Sequence, residues 1–133
     1  NVKRISQLIV VDNIRIESVC AHHHQNIRGV CHIAILPDEE GSVMGLSKYS
    51  RIASWIARRP QIQEELTVEI ANTLDHILQP RGVAVVVNAD HQCMQCRGVM
   101  EPNAKTTTSH LIGEFLNNPT LRQEFYNILQ LRR

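Results

Sequence analysis

Two segments of this chain are apolar on both of their alternating faces, and no other feature restricts the fold as much. In VAVVV (83–87) an extended backbone points Val83, Val85 and Val87 one way and Ala84 and Val86 the other. In IRGVCHIAIL (27–36), Ile27, Cys31, Ile33 and Ile35 oppose Val30, Ala34 and Leu36. Strands of this composition belong in the interior of a sheet that is covered on both sides.

The surrounding pattern predicts strands, then helices, then strands. Gln7–Cys20 reads as one long or bulged strand, interrupted by the polar pair Asp12-Asn13. Ile27–Leu36 stops at the turn Pro37-Asp38-Glu39-Glu40-Gly41. Leu46–Arg58 is expected to be helical, with Ile52, Trp55 and Ile56 on one side. Gln63–Gln79 is a longer helix with an apolar stripe of Leu66, Ile70, Leu74, Ile77 and Leu78, ended by Pro80 and Gly82. Val83–Gly98 returns to strand, Lys105–Ile112 supplies a fourth, and Asn117–Leu131 closes with a helix opened by Asn118-Pro119. The fold class is α+β: a four-stranded antiparallel sheet on two helices, in one domain over residues 1–133. Two helices cover one face. Only the terminal helix remains for the other, so assembly with copies of the chain is expected to complete the cover and pair the sheet edges.

Composition excludes several classes. The formal net charge is +1 and no Lys/Arg run exceeds two residues, which argues against nucleic acid and membrane as partners. No apolar stretch approaches the roughly 20 residues that span a bilayer. The start, NVKRISQLIVVDN, lacks the apolar core of a signal peptide. Four cysteines in a chain of this kind read better as reduced thiols of a cytoplasmic protein than as disulfides.

The chemistry concentrates in SVCAHHHQN (18–26) and NADHQCMQCRGV (88–99). If the second is a strand, His91, Cys93, Gln95 and Arg97 share one surface, while Cys96 faces away and cannot form a redox pair with Cys93. A base, a thiolate, an amide and a fixed positive charge suit hydrolysis of an anionic substrate beside a metal. Cys20 and His23 would complete three protein ligands with one position open, the pattern of a catalytic zinc. Ordinary buried cysteines are the competing reading.

CAHH (20–23), MGLSKYSRIASWIARRPQIQEEL (44–66), ADHQCMQCRGV (89–99) and NAKTTTSHLIG (103–113) together resemble the GTP cyclohydrolase I family in order and nearly in spacing. The resemblance implies the tunnelling fold, with two helices between strands 2 and 3, assembled into β-barrel rings. Two stacked pentamers, a decamer with active sites between subunits, are the usual form. It implies Zn²⁺ on Cys20, His23 and Cys93, with His22 and His91 as catalytic histidines; an unperturbed pKa near 6.5 suits both for proton transfer. Ser47 is implied to assist at the ribose, and its simpler role is capping the helix after Leu46. Gln63 and Glu64 are implied to hold the guanine edge; an exposed first turn, where Glu favours the helix dipole, is the plainer reading. Lys48, Arg51 and Arg97 are implied triphosphate contacts. The implied reaction is hydrolysis of GTP at guanine C8, releasing formate and giving 7,8-dihydroneopterin triphosphate for pterin, folate or deazapurine synthesis.

The chain departs from the family pattern at Ala21, where a Glu is usual, and at Asn26, where a Pro is usual. It also begins close to the first strand, which reads as a short form without most of the family's N-terminal helical region. Ala21 keeps open a noncatalytic purine-nucleotide-binding module, and ring opening arrested at a formamidopyrimidine nucleotide is a further alternative. A nitrile reductase of the same fold is disfavoured by the metal-type CxHH.

Overall fold

The computed structural model describes residues 8–19, 26–41, 43–91 and 105–131. Strands β1 (Ile9–Val19), β2 (Asn26–Leu36), β3 (Gly82–His91) and β4 (Thr106–Gly113) form one antiparallel sheet in the order β1-β2-β3-β4. Helices α1 (Leu46–Ala57) and α2 (Gln63–Leu78) lie between β2 and β3, as the sequence predicts. A short helix α3 (Glu114–Asn117) and the terminal α4 (Pro119–Leu131) follow β4.

The Asp12-Asn13 pair is a β-bulge. Val11 pairs with Ile33 and Ile14 with Cys31, so two residues of β1 oppose His32 alone. Asn13 takes φ 56°, a left-handed conformation that Asn tolerates, and its N–H donates to His32 Nδ1 at 3.1 Å. The extra residue shifts the alternation. Ile9 and Val11 before it, and Ile14 and Ile16 after it, therefore all pack on the helix-covered core.

That core joins Ile27, Cys31, Ile33, Ile35, Val83, Val85 and Val87 to Tyr49, Ala53 and Ile56 of α1 and Leu66, Ile70 and Leu74 of α2. Burial pushes the Cys31 thiol up to about 12. The helices are rotated slightly from expectation. Trp55 is 62% exposed and Ile77 51% exposed, because Tyr49-Ala53-Ile56-Ala57 and Leu66-Ile70-Leu74-Leu78 form the stripes that face the sheet. Gln79, expected inside α2, is instead its left-handed C-cap, with φ 46°.

On the opposite face the two C-terminal helices supply part of the cover. The apolar residues there, Ala34, Leu36, Ala84 and Val86, are already covered, by Phe115 of α3 and Phe125 of α4, whose rings meet edge to face at 6.1 Å. The rest of that face is mixed: Asp12, Arg28, His32, Asn88, Asp90 and Thr107 line a groove together with Val30, Val86 and Leu129. Among the described residues, β1 and β4 are the two outer edges of the sheet. The terminal helix begins as read: Asn118 Oδ1 accepts from the N–H groups of Thr120 and Leu121 at 3.0 and 3.3 Å, with Pro119 in the first position. The residues ahead of that cap, expected to be helical from Asn117, form the separate turn α3.

Candidate functional site

The described parts of both chemically loaded segments lie at one end of the sheet, and residues 92–98, expected to continue the strand, lie outside the described residues. β1 and β3 are each antiparallel to β2, so they run the same way and finish together. Ile27 pairs with Ser18 on one side and His91 on the other, which sets Ser18, Ile27 and His91 in one row. Adjacent strands lie about 4.8 Å apart, so the exits of β1 and β3 are separated by roughly 10 Å. Cys20 directly follows Val19, and Cys93 stands two positions after His91. Cys20, His22, His23, Cys93 and Arg97 themselves lie outside the described residues, and of His91 only the strand position is described. Among the described residues there is no group of three His, Cys, Asp or Glu side chains that could hold a metal.

The connection between α1 and α2 is fastened to the same end. Gln61 N–H donates to Val19 O at 3.0 Å, Ser18 Oγ donates to Arg59 O at 3.3 Å, and Pro60 bridges to Val19. The Gln61 side chain is buried and donates to Ile56 O at 2.7 Å, which closes the turn on itself. Arg59 pairs with Glu69 at 2.7 Å and lies over the Trp55 ring at 5.0 Å. These contacts bring the first turn of α2 beside the exits of β1 and β3.

Gln63 does not sit on an exposed first turn. It is 1% exposed, and its Nε2 donates to Val87 O at 3.2 Å, Thr106 O at 2.9 Å and Thr108 Oγ1 at 3.1 Å. Thr67 Oγ1 reaches Gln63 O at 2.9 Å and Thr108 Oγ1 at 2.6 Å. Sequence reasoning missed Thr67 and Thr108. A polar residue four positions after Gln63 on the apolar side of α2 was the available signal. Glu64, next to the buried Gln63, is exposed and lines a groove with Glu65, Val68 and Glu69.

Ser47, Lys48 and Arg51 stand elsewhere. All three are exposed on α1, and Ser47 lies about 15 Å along the helix axis from Ala57, where the chain reaches the strand exits. Ser47 is not the cap: that position belongs to Gly45, whose carbonyl accepts from Lys48 N–H at 3.0 Å, and Ser47 is the second helical residue. Its hydroxyl is therefore not spent on the helix end. Lys48 and Arg51, three residues apart, can converge on one anion. Within one chain, the candidate residues fall into a group at the α2 end and a group at the start of α1.

The solved structures place this architecture in the tunnelling-fold class: a QueF-like archaeosine synthase superposes with a TM-score of 0.66 at 20% identity, over 84% of this chain and 97% of that one. The family profile of GTP cyclohydrolase I matches residues 1–130, and the chain belongs to that family. It is 46% identical over 123 residues to the GTP cyclohydrolase 1 of Chromohalobacter salexigens, across 92% of this chain and 66% of the relative. To that of Streptomyces griseus it is 44% identical over 126 residues, across 95% of this chain and 62% of the relative. The chain thus spans about three-fifths of the length of these curated relatives. No helix among the described residues is long and apolar enough to cross a membrane.

Proposed function

We propose that the chain is the catalytic portion of a zinc-dependent GTP cyclohydrolase I, which opens GTP at guanine C8, releases formate and forms 7,8-dihydroneopterin triphosphate. The observation that carries the reading is the common exit of β1 and β3 beside the first turn of α2, in a chain of this family. It brings the points from which the segments bearing Cys20, His23 and Cys93 depart to within about two strand spacings. Two thiolates and an imidazole form a donor set that zinc accepts, and they would hold it with one position open. When bound, zinc supplies Lewis acidity and a water of lowered pKa.

The chain's own residues do the rest. The exposed Glu64 carboxylate accepts from the N1–H and 2-amino donors of guanine, a pattern adenine does not offer. His22 and His91 carry protons to and from the ring nitrogens as the imidazole ring opens. Lys48, Arg51 and Arg97 hold the triphosphate, and the Ser47 hydroxyl serves the ribose steps. Because the α1 group stands apart from the α2 group, the reading includes a homo-oligomer. In it, the outer β1 and β4 edges pair and one chain's α1 residues serve a neighbour's α2 site.

Product analysis on purified protein of measured metal content tests this. Formate and an oxidisable fluorescent pterin are expected, with zinc near one per chain; Cys93→Ser is expected to lose metal and turnover together. Wild-type metal and activity in Cys93→Ser would sink the ligand assignment. Ala21 motivates a second reading, a purine-nucleotide-binding module without turnover. It is supported instead if GTP binds to the zinc-loaded protein and no formate appears.

A further inference from the structure

The hydrogen bonds around Gln63 have only one consistent direction. Thr67 Oγ1 donates its single hydrogen to Gln63 O at 2.9 Å. At the 2.6 Å contact between the two hydroxyls, Thr108 must therefore be the donor and Thr67 the acceptor. With its own hydrogen committed, Thr108 can only accept from Gln63, at 3.1 Å. The other two partners of Gln63 Nε2, the carbonyls of Val87 and Thr106, are also pure acceptors. Nε2 carries two hydrogens for these three acceptors, so they share them; the two carbonyls alone require the NH₂ end of the amide to point inward, which removes the usual ambiguity of an amide flip. The result is a closed loop that starts at the Gln63 side chain, passes through Thr108 and Thr67, and returns to the Gln63 backbone.

Such a loop is more than a buried contact. Thr67 alone would be an ordinary bond from a helical threonine to the carbonyl four residues earlier. Thr108 joins it to β4, and Gln63 ties both to β3, so three elements meet at the residue preceding Glu64. Each bond in the ring polarises the next. Gln63 and Thr67 are each 1% exposed, so water does not readily replace a lost partner at those two, while Thr108 is half-buried.

We infer that Thr67 and Thr108 are positioning residues: their hydroxyl pair locks Gln63 and so fixes the direction in which the first turn of α2 presents Glu64 to a guanine base. The inference rests on reading that turn as the base-recognition site. Val is close to Thr in shape and lacks the hydroxyl, so Thr108→Val and Thr67→Val test it with little change in packing. Thr108→Val is expected to raise KM for GTP about tenfold while kcat stays within about twofold, and Thr108→Ser to restore the wild-type value. Thr67→Val with Thr108→Val is expected to be no worse than either alone, because one loop is broken once. In NMR spectra, the side-chain amide protons of Gln63 are expected to be sharp and slow to exchange in the wild type and averaged in Thr108→Val.

The outcomes separate cleanly. If Thr108→Val loses kcat or active fraction with KM unchanged, the loop is structural only and the positioning role is overturned. Equal GTP affinity of Thr108→Val and wild type, measured by calorimetry without turnover, overturns it as well. If the wild type binds no guanine nucleotide at all, both this role and the reading of the site fall, whereas GTP binding without formate removes only the catalytic reading.

Discussion

The first turns of α1 and α2 carry candidate substrate residues under opposite physical conditions. At α2, Gln63 is buried, its amide is used by three acceptors from β3 and β4, and only Glu64 and Glu65 face outward. At α1, Gly45 begins the helix without a side chain to cap it, and Ser47, Lys48 and Arg51 all stand in solvent. The contrast fits the chemistry each turn is assigned. Discriminating guanine from adenine needs acceptors held in a fixed direction, whereas holding a flexible triphosphate needs positive charge that can follow it. Under the proposed roles, base recognition would rest on the buried turn and phosphate contact on the exposed one.

The largest expected difference comes from substitution at the two turns. Gln63→Leu keeps volume but leaves Val87 O, Thr106 O and Thr108 Oγ1 without their donor. That loss is expected to cost about 2 kcal/mol of unfolding free energy and to abolish guanine-specific turnover. Lys48→Ala removes an exposed charge and is expected to leave denaturant midpoints unchanged while raising KM for GTP about tenfold. If both substitutions lower stability equally, the contrast between a locked and an open turn is wrong.

Mixing subunits probes whether the two turns of one site belong to one chain. Lys48→Ala and Glu64→Ala each damage one group. In a co-refolded equal mixture, about a quarter of interfacial sites would combine an intact α1 turn from one variant with an intact α2 turn from the other. At GTP well below KM, activity near a quarter of wild type is the expected result. A mixture no more active than its components would place both groups in a single chain's site.

Much of this was legible in the sequence because it obeys short-range rules. The double-faced runs at 27–36 and 83–87 fixed two interior strands, the Asp12-Asn13 pair marked the bulge, and Asn118-Pro119 marked the start of the terminal helix. Two things were not legible. The phase of α1 placed Trp55 inward, because its stripe is made of Tyr49, Ala53, Ile56 and Ala57, two of them alanines that contribute little apolar signal. The part played by α3 and α4 was not legible either: Phe115 and Phe125 pack with Ala34 and Ala84 across roughly 30 to 90 residues of chain, which periodicity does not encode. At the site, the resemblance named Gln63 but not its burial or its contact with Thr108, which lies 45 residues away.

The smallest effect is the finest test of the open turn. At Gly45, φ is −59° and no atom lies within 4 Å of where a Cβ would stand, so a side chain there meets neither strain nor collision. In Gly45→Ser the hydroxyl can accept from the backbone N–H groups of the first turn, which is expected to add a few tenths of a kcal/mol to stability. Those N–H groups would otherwise be available to an anion held by Lys48 and Arg51. A cap competes for them, so KM for GTP is expected to rise about twofold while the thermal midpoint rises slightly. A stabilised variant with unchanged KM would mean that the phosphates are held by the two side chains alone. In that case the absence of a cap at α1 has no part in binding, and the contrast with α2 reduces to charge against geometry.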